Sequence, residues 1–315
     1  MSLFRLKKII AAVGLYDVAA LAYLKWLARR RGLRLEAGET DHGPTLRFHG
    51  AQNRCIVLSR RHVMYGEDMI RFFDYYFGAV VPHTENGESI VDYSQPAWQT
   101  LRPSGVKLHF SSLPESDTTT ELYLEKAALG PNDVIIDLGG YCGGSSYFFA
   151  RAAGPGGRVL CLEPDPLNFE SLQKNIAFHQ LKNVTALPLA AWSHSGKLRF
   201  ETEGNMGSGV NAVHTRNARS IEIDSITLDD LVAKYLLERI DLIKMDIEGA
   251  ECVVLRSAAS LLAKFRPRLV IEPHVVSGKL NTDEVFSILS GLGYKCEIIQ
   301  QGELKLPLVF ASFAT

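Results

Sequence analysis

The chain has 315 residues, of which 46% are hydrophobic and 22% are charged, a composition typical of a globular protein with a large core. Its formal net charge of -1 provides no general electrostatic attraction to nucleic acid. The five cysteines are scattered without a Cys-x-x-Cys pair, which argues against a disulfide scaffold or a thiolate zinc site and favours a reducing, cytoplasmic location.

Residues 3–31 predict one long helix with basic residues dense at both ends. Asp17 interrupts its apolar positions, so the segment is a poor signal peptide and a poor transmembrane span. A basic amphipathic helix can lie on a membrane surface. More often such a helix packs on its own domain or on a partner subunit, and we favour that interpretation. Weak peripheral membrane contact and a homo-oligomer both stay open.

From residue 45 to residue 110, short strand-like runs alternate with turn residues. One helix near residues 67–77 interrupts them and carries a dense set of aromatic side chains, which is typical of a core. The polar, turn-rich stretch 111–120 follows. We therefore predict a small α+β accessory region over residues 1–114 and a second domain over residues 121–315.

After residue 120, helix and strand patterns alternate, which predicts a parallel sheet covered on both faces. The predicted strands are 134–138, 158–163, 184–189, 242–246 and 268–272, with 294–299 and 306–313 as a closing antiparallel pair. The predicted fold class is α/β, a Rossmann-like doubly wound sheet of seven strands. The glycine-rich stretch Gly204–Gly209 predicts either a mobile loop over the acceptor site or an ordinary hairpin connection.

A glycine turn follows the first of these strands. Asp137 lies near the strand's end, and four glycines come next: Gly139, Gly140, Gly143 and Gly144. A strand, a glycine turn and a helix N-terminus let a ligand approach bare backbone. The dinucleotide pattern Gly-x-Gly-x-x-Gly fails at Tyr141 and Cys142, and no Gly-Lys-Ser/Thr of a P-loop follows. The remaining pattern resembles the first motif of class I S-adenosylmethionine-dependent methyltransferases; a glycine turn of an unrelated α/β protein is the alternative.

Glu163 ends the second predicted strand. In a doubly wound sheet, an acid at this point lies beside the glycine turn and accepts hydrogen bonds from ribose hydroxyls. The alternative is an acid that caps a helix or is solvated. Cys142 lies at the turn beside a helix N-terminus, where a thiol pKa can fall. Because no histidine partner can be placed beside it, contact with a cofactor is the better interpretation.

A specific family resemblance rests on a later stretch, Asp241-Leu-Ile-Lys-Met-Asp-Ile-Glu-Gly-Ala-Glu251, which is similar to the hallmark of the FkbM-type methyltransferases. Four further stretches agree with it: Ile136-Asp-Leu-Gly-Gly with Gly143, Glu163-Pro-Asp165, Asp224-Ser-Ile-Thr-Leu-Asp-Asp-Leu231, and Arg266-Pro-Arg-Leu-Val-Ile-Glu-Pro-His274. The resemblance covers about residues 121–300. It departs from the family at Gly139-Gly140-Tyr141, where Gly-Ala-Asn is common, and this bears on the floor of the cofactor pocket.

This resemblance implies S-adenosylmethionine as the cofactor and O-methylation of a hydroxyl on a small molecule such as a sugar or a polyketide. We expect no nucleic-acid partner. The expected cofactor-binding residues are Asp137, Gly139, Gly140, Tyr141, Cys142, Gly143, Glu163 and Asp246.

Methyl transfer to a hydroxyl needs donor and acceptor in line and benefits from a base near the proton. Ligands of such sheets bind outside the carboxyl ends of the strands, where the predicted strands 242–246 and 268–272 supply Asp246, Glu272 and His274 as catalytic candidates. His274 could serve as the base and Asp246 could orient it or contact the cofactor amine, although purely structural roles carry comparable weight.

These three side chains could also hold a metal, but nothing in their spacing requires one, so we predict none. Two rival functions on the same fold are a nicotinamide oxidoreductase and a non-catalytic binding module. The failed dinucleotide pattern disfavours the first, and the intact acids Asp137, Glu163 and Asp246 disfavour the second.

Overall fold

The computed structural model describes residues 16–115, 117–210, 219–301 and 306–313. The chain divides into two compact units, Met1–Pro96 and Ala97–Thr315. The start of the predicted N-terminal helix lies outside the described residues. Among the helices that are described, none is long and apolar enough to cross a membrane.

The first unit contains a five-stranded sheet in the order β1-β2-β3-β5-β4. Its elements are α1 (Tyr16–Arg30), β1 (Arg34–Thr40), β2 (Gly43–Gly50), β3 (Arg54–Ser59), a 3₁₀ helix (Arg60–Tyr65), α2 (Gly66–Arg71), α3 (Phe73–Gly78), β4 (His83–Glu85) and β5 (Glu88–Tyr93). The predicted aromatic helix is two short helices that meet at Phe72, whose backbone is not helical. Phe73, Tyr76 and Phe77 are buried, as expected for a core set.

The second unit begins with the hairpin β6 (Ala97–Thr100) and β7 (Lys107–Phe110). Its helices are α4 (Asp117–Ala127), α5 (Gly144–Ala153), α6 (Pro166–Phe178), α7 (Leu228–Tyr235), α8 (Glu251–Ser257), α9 (Ala259–Phe265) and α10 (Thr282–Gly291). Its remaining strands are β8 (Val134–Leu138), β9 (Arg158–Leu162), β10 (Val184–Leu187), β11 (Leu189–Ala191), β12 (Gly196–Thr202), β13 (Arg219–Ile226), β14 (Leu242–Met245), β15 (Arg268–Ile271), β16 (Val275–Val276), β17 (Lys279–Leu280), β18 (Tyr294–Gln301) and β19 (Leu306–Phe313).

A seven-stranded sheet organises this unit, in the order β10-β9-β8-β14-β15-β19-β18. Strands β10 to β15 of that order pair in parallel, and β19 runs antiparallel to both β15 and β18. The parallel strands are almost wholly buried because helices cover both faces. The predicted Rossmann-like fold with a closing antiparallel pair is confirmed. Because the strand order reverses between the neighbouring strands β8 and β14 at the centre of the sheet, the carboxyl edge there is the expected place for a ligand.

The predicted strand 184–189 is two strands. β10 stays in the central sheet, whereas β11 pairs with β13 in a separate three-stranded sheet, β11-β13-β12. Pro188 separates them, since a proline has no N–H to donate to a continuous ladder.

The hairpin β6–β7 lies against α6 in the second unit. The Asn175 side chain bridges the hairpin and the glycine turn: its Oδ1 accepts from His109 N at 2.7 Å, and its Nδ2 donates to the carbonyls of His109 and Cys142. The predicted boundary at residue 114 therefore falls inside the second unit, and the division of the chain into functional domains stays a prediction.

Candidate functional site

The glycine turn after β8 is packed too tightly for side chains. Gly139 has φ of +75°, and a Cβ there would lie 1.7 Å from the Asp246 carbonyl oxygen. At Gly140 a Cβ would lie 2.0 Å from Cys161 Sγ, and at Gly143, with φ of +86°, 2.5 Å from Leu172 Cδ1. The N–H groups of Gly139 and Gly140 both donate to the Leu162 carbonyl at 3.0 Å, which ties the turn to β9. These glycines are required by the backbone path itself.

Asp137 is fully buried beneath this turn. Its Oδ2 accepts hydrogen bonds from the Ser145 and Ser146 hydroxyls at 2.7 Å each, and its Oδ1 lies 3.4 Å from Lys244 Nζ. Lys244, paired with Asp137 across β14 and β8, also donates to the Gly139 carbonyl at 2.6 Å. Although burial opposes the charge, the pKa of Lys244 is raised because Asp137, Asp246 and Glu115 stabilise the ammonium. Asp137 and Lys244 therefore form the buried support of the turn.

Glu163 follows β9, and its carboxylate holds the other side of the turn. Oε2 accepts from Tyr141 N at 2.8 Å, and Oε1 accepts from Asp165 N at 2.9 Å and from Asn168 Nδ2 at 3.4 Å. Burial raises the pKa of Glu163 to about 8, even though these hydrogen bonds favour the charged form. A carboxylate oxygen can accept two hydrogen bonds, so Oε2 retains capacity for a ligand hydroxyl.

The segment 111–115 lines the turn from the opposite direction. Ser111 N and Oγ contact Cys142 Sγ at 3.3 and 3.4 Å, and the Tyr141 hydroxyl donates to the Leu113 carbonyl at 2.7 Å. Burial raises the pKa of the Cys142 thiol to about 12, so this residue is not a thiolate nucleophile. Tyr141 and Cys142 thus shape the turn.

Asp165 anchors the glycine-rich loop 203–209 next to Glu163. Its Oδ1 caps α6 by accepting from Leu167 N, and its Oδ2 accepts from Gly204 N at 2.9 Å, from Ser208 Oγ at 2.7 Å and from Thr202 Oγ1. The Asn168 amide joins Glu163 to this loop by donating also to the Asn205 carbonyl at 3.1 Å. The loop is therefore attached at the β9 end of the site. Its predicted place over the acceptor stays a prediction.

Asp246 and His274 do meet at the carboxyl ends of β14 and β15, as their strand positions predict. His274 Nε2 lies 3.4 Å from Asp246 Oδ1 and 3.5 Å from Glu248 Oε1, and its Nδ1 lies 2.9 Å from Glu251 Oε1. Burial alone would lower the pKa of His274, but Glu248, Glu251 and Asp246 raise it well above its usual value. An imidazole held in its charged form has no lone pair for a hydroxyl proton, which weakens the interpretation of His274 as the base.

Glu251 is the fixed partner of His274. It is fully buried and accepts from Gly249 N at 3.1 Å and from Asn281 Nδ2 at 2.7 Å. Burial opposes its ionisation, but the bonds from His274 and Asn281 outweigh burial and lower the pKa of Glu251. Asp246, Glu248 and His274 lie close enough together to share a divalent cation. The same three also satisfy one another as an ion-paired cluster.

Glu272 and Glu115 complete this end of the site. Glu272 Oε2 accepts from Tyr123 OH at 3.3 Å and from Gln301 Nε2 at 3.1 Å. Burial first, and then the charge of Asp246, raise the pKa of Glu272 to about 7. Burial likewise raises the pKa of Glu115 to about 8, against the opposing effect of Lys244 and with the help of Asp246 and Glu272. Glu272 is therefore poised to exchange a proton near neutral pH.

Several residues of the site were not predicted from the sequence. Glu115 lies in the polar stretch 111–120, which the sequence indicates only as a domain boundary, and no sequence pattern identifies Ser145, Ser146 and Glu251 as partners of Asp137 and His274. Only Glu251 carried a signal, because it belongs to the Asp241–Glu251 stretch.

The polar groups of the site match the chemical groups of S-adenosylmethionine. Glu163 offers an acceptor for ribose hydroxyls, the N-terminus of α5 offers N–H groups to a carboxylate, and the β14–β15 end gathers carboxylates that favour a cation. The buried amide Nδ2 of Asn205 has no hydrogen-bond partner in the described part of the chain, so the β9 end retains a free donor as well.

Comparison with known proteins identifies the family that the chain resembles in sequence. The model of the methyltransferase FkbM domain matches residues 137–296. "31-O-demethyl-FK506 methyltransferase FkbM" of Streptomyces tacrolimicus is 25% identical over 206 residues, 56% of this chain and 78% of that protein. "Methyltransferase 1" of Beauveria bassiana is 28% identical over 160 residues, 43% of this chain and 64% of that protein. "Hexuronic acid methyltransferase AglP" of Haloferax volcanii is 29% identical over 141 residues, 45% of this chain and 55% of that protein.

Proposed function

Because the chain belongs to the FkbM methyltransferase family, we propose that it transfers the methyl group of S-adenosylmethionine to a hydroxyl oxygen of a small molecule or a sugar. The single observation that supports this most strongly is the meeting of two sets of groups at one sheet edge. The glycine turn and Glu163 lie at the ends of β8 and β9, and Asp246, Glu272 and His274 lie at the ends of β14 and β15. Two relatives whose names specify an FK506 derivative and a hexuronic acid support a hydroxylated acceptor.

The bound cofactor would supply an electrophilic methyl group on a sulfonium. The chain then has three tasks: to hold the cofactor, to place the acceptor hydroxyl in line with the methyl group, and to take up the hydroxyl proton. Glu163 and the turn Gly139–Gly143 serve the first task.

For proton uptake we assign Glu272 in preference to His274. With its pKa raised to about 7 by burial and by Asp246, Glu272 changes protonation close to neutral pH, and a carboxylate that accepts from Tyr123 and Gln301 is held in place. His274, charged by its three acidic neighbours, would orient Asp246. Asp246 also lies 3.7 Å from Lys244 and so connects the two ends of the site.

A binding and transfer experiment tests the proposed function. Calorimetry of the purified protein should show binding of S-adenosylhomocysteine, and incubation with methyl-labelled S-adenosylmethionine and a panel of sugars and hydroxylated small molecules should label at least one. Tighter binding of NAD would support the oxidoreductase alternative. Cofactor binding with no transfer to any acceptor class would support a non-catalytic module.

A further inference from the structure

Helix α1 packs on the first unit through one face only. Leu24, Leu27 and Ala28 are buried on that face. Leu24 lies against the backbone of Gly66, where an added Cβ would be 2.7 Å from Leu24 Cδ1. After the helix, Leu33 N donates to the Ala28 carbonyl at 2.9 Å and so fixes the path of the chain towards β1. The helix is therefore held in place, with its opposite face towards solvent.

The opposite face of α1 forms a surface that we call the α1 patch. At 3.6 residues per turn, positions 18, 22, 25, 26, 29 and 30 fall within one arc of about 140°. All members are exposed and either apolar or basic: Val18, Ala22, Lys25, Trp26, Arg29 and Arg30. Val18 exposes 64% of its surface and Trp26 exposes 51%. Apolar and basic side chains are thus mixed on one exposed helix face.

Trp26 is held in an extended cluster at the centre of this patch. Its ring stacks on Tyr23 with the ring centroids 6.0 Å apart, and the Arg30 guanidinium lies 5.0 Å from its centroid. Lys25 and Arg29 flank Trp26 along a shallow depression of the surface. Indole rings favour the boundary between water and lipid, and lysine and arginine can lay their aliphatic stems on lipid while their charges stay in water.

The charge of this segment has one sign. Residues 18–35 contain no acid, although the whole chain has a net charge of -1. Arg34 pairs with Glu36, but the ion pairs among the described residues include none with Lys25, Arg29 or Arg30. These three cations are available to an anionic partner.

Anionic lipids and nucleic acids both attract such a basic surface, and the apolar members of the patch distinguish between them. Val18 and Trp26 gain free energy when they leave water for the edge of the acyl chains. A phosphate backbone offers Val18 no such gain, because binding to it depends on charge. The composition of the patch therefore favours a lipid surface.

We propose that the α1 patch binds the surface of a membrane that contains anionic lipids, with the axis of α1 parallel to the membrane plane. In this position, Val18 and Trp26 enter the boundary between headgroups and acyl chains. The basic side chains of the patch contact lipid phosphates. This inference goes beyond the proposed function and does not depend on it.

Sedimentation of the full chain with lipid vesicles tests this role. The protein should bind vesicles made of equal parts phosphatidylglycerol and phosphatidylcholine, should bind phosphatidylcholine vesicles far more weakly, and should be released by salt. Replacing Lys25, Arg29 and Arg30 together by Gln should lower the affinity about a hundredfold, because each basic residue near an anionic surface contributes about fivefold.

A matched control makes the same change of charge on exposed lysines of the second unit. Replacing Lys182, Lys279 and Lys295 together by Gln should leave vesicle binding as in the unmodified protein. The affinity for S-adenosylhomocysteine should be the same in both triple variants and in the unmodified protein, so a failure of the membrane role is distinguishable from a failure of the proposed function.

Fluorescence of Trp26 reports whether this face itself meets the lipid. Vesicles with bromine on the acyl chains quench a tryptophan that lies at the lipid boundary. Because the chain has three tryptophans, substitutions identify the one that is quenched. Trp26→Phe keeps an aromatic ring, so it should still bind but should lose most of the quenching. Trp98→Phe, at an exposed position of β6, is the control and should keep it.

The outcomes that contradict the proposal are distinct. Absence of binding to the anionic vesicles, unchanged affinity in the triple variant of α1, or quenching that survives Trp26→Phe would each overturn it. Tighter binding of a nucleic-acid duplex than of the vesicles would make the α1 patch a nucleic-acid surface. Self-association without lipid that Trp26→Ala abolishes would make it a contact between two copies of the chain. Denaturant unfolding of each variant verifies that it is folded.

Discussion

The two ends of the candidate site balance their charges in different ways. At the β9 end, the Glu163 carboxylate is surrounded by neutral donors, the N–H groups of Tyr141 and Asp165 and the amide of Asn168. At the β14–β15 end, Glu272 and Asp246 belong to a group of ionisable side chains that act on one another. A ring of neutral donors suits recognition of a neutral ligand group such as a ribose. A group of coupled carboxylates suits a cation and the movement of a proton.

The largest expected effect distinguishes the roles of Glu272 and His274 at the β14–β15 end of the site, which we call the charged end. Glu272→Gln should lower kcat by about a hundred- to ten-thousand-fold, the typical contribution of a general base, with the affinity for S-adenosylhomocysteine nearly unchanged. His274→Gln should lower kcat much less, because the charged imidazole only orients Asp246. The measurement is steady-state kinetics with an acceptor found in the transfer screen.

The control for this pair is Glu297→Gln, an exposed glutamate on β18 that pairs with Lys126. A loss in His274→Gln that equals the loss in Glu272→Gln, with the acidic limb of the pH profile removed, would restore His274 as the base. Loss of activity in EDTA with recovery in magnesium would instead place a divalent cation among Asp246, Glu248 and His274.

The next effect concerns the glycine turn, which packs against the backbone of Asp246 between the two ends of the site. Gly139→Ala should destabilise the fold by about 3 kcal/mol or more, because a Cβ would lie 1.7 Å from the Asp246 carbonyl oxygen in a backbone with φ of +75°. Denaturant unfolding measures this change. Gly154→Ala is the matched control: its φ is +68° and its ψ is −175°, but no atom lies within 4 Å of the added Cβ, so only backbone strain of about 1–3 kcal/mol is expected. Equal losses in the two variants would show that Asp246 does not constrain the turn.

A third prediction concerns ribose recognition at the β9 end of the site, which we call the neutral end. Glu163→Ala should weaken S-adenosylhomocysteine by about 1–3 kcal/mol, because it removes the hydrogen-bond acceptor proposed for the ribose. Glu170→Ala, on the exposed side of α6, should leave the affinity unchanged. Unaltered calorimetric affinity in Glu163→Ala would remove this residue from the ribose site.

The sequence predicts the neutral end better than the charged end, for a physical reason. A buried strand, a glycine turn and an acid at the end of the next strand are local patterns, and Val134–Leu138, the turn and Glu163 all lie where they were expected. The fold class followed from the alternation of helices and strands in the same way. These features are set by residues close together in the chain.

Most of the partners at the charged end are distant in the chain, so local sequence patterns do not reveal them. Tyr123 donates a hydrogen bond to Glu272 from more than a hundred residues away, and the hydrogen bond between Asn281 and Glu251 links a loop to the start of a helix. Burial and the charge of Asp246 raise the pKa of Glu272 to about 7, and the acids Glu248, Glu251 and Asp246 raise the pKa of His274. The strand positions predict His274 near Asp246, and His274 Nε2 lies 3.4 Å from Asp246 Oδ1. The protonation state of His274 depends also on its contacts with Glu248 and Glu251, which only the fold reveals.

The fourth prediction concerns the contribution of Glu163 to the pH dependence of stability. Burial raises the pKa of Glu163 to about 8 in the folded chain, above the usual value of 4.5, so the native state holds this proton more tightly than the unfolded state. The free energy of unfolding should therefore fall as the pH rises between these two values, by at most about 1.4 kcal/mol per pH unit. Glu163→Gln should flatten this dependence. Denaturant titrations from pH 5 to pH 9 measure it, and identical slopes in both proteins would contradict the raised pKa.

The smallest expected effect concerns the loop that joins the neutral end. Asp165→Asn can keep the α6 cap through Oδ1, but it replaces the oxygen that accepts from Gly204 N and Ser208 Oγ with an NH₂ group that cannot accept. The loop 203–209 should then open more easily by about 1–2 kcal/mol, which hydrogen exchange would detect as faster exchange of the Gly204 amide with α6 still protected. Asp229→Asn, on the exposed side of α7, is the control.

If the Gly204 amide exchanges at the same rate in Asp165→Asn, the loop is held by contacts other than Asp165. If the loop opens and the affinity for S-adenosylhomocysteine falls with it, the loop closes the cofactor end of the site; if only the acceptor KM rises, the loop lies over the acceptor.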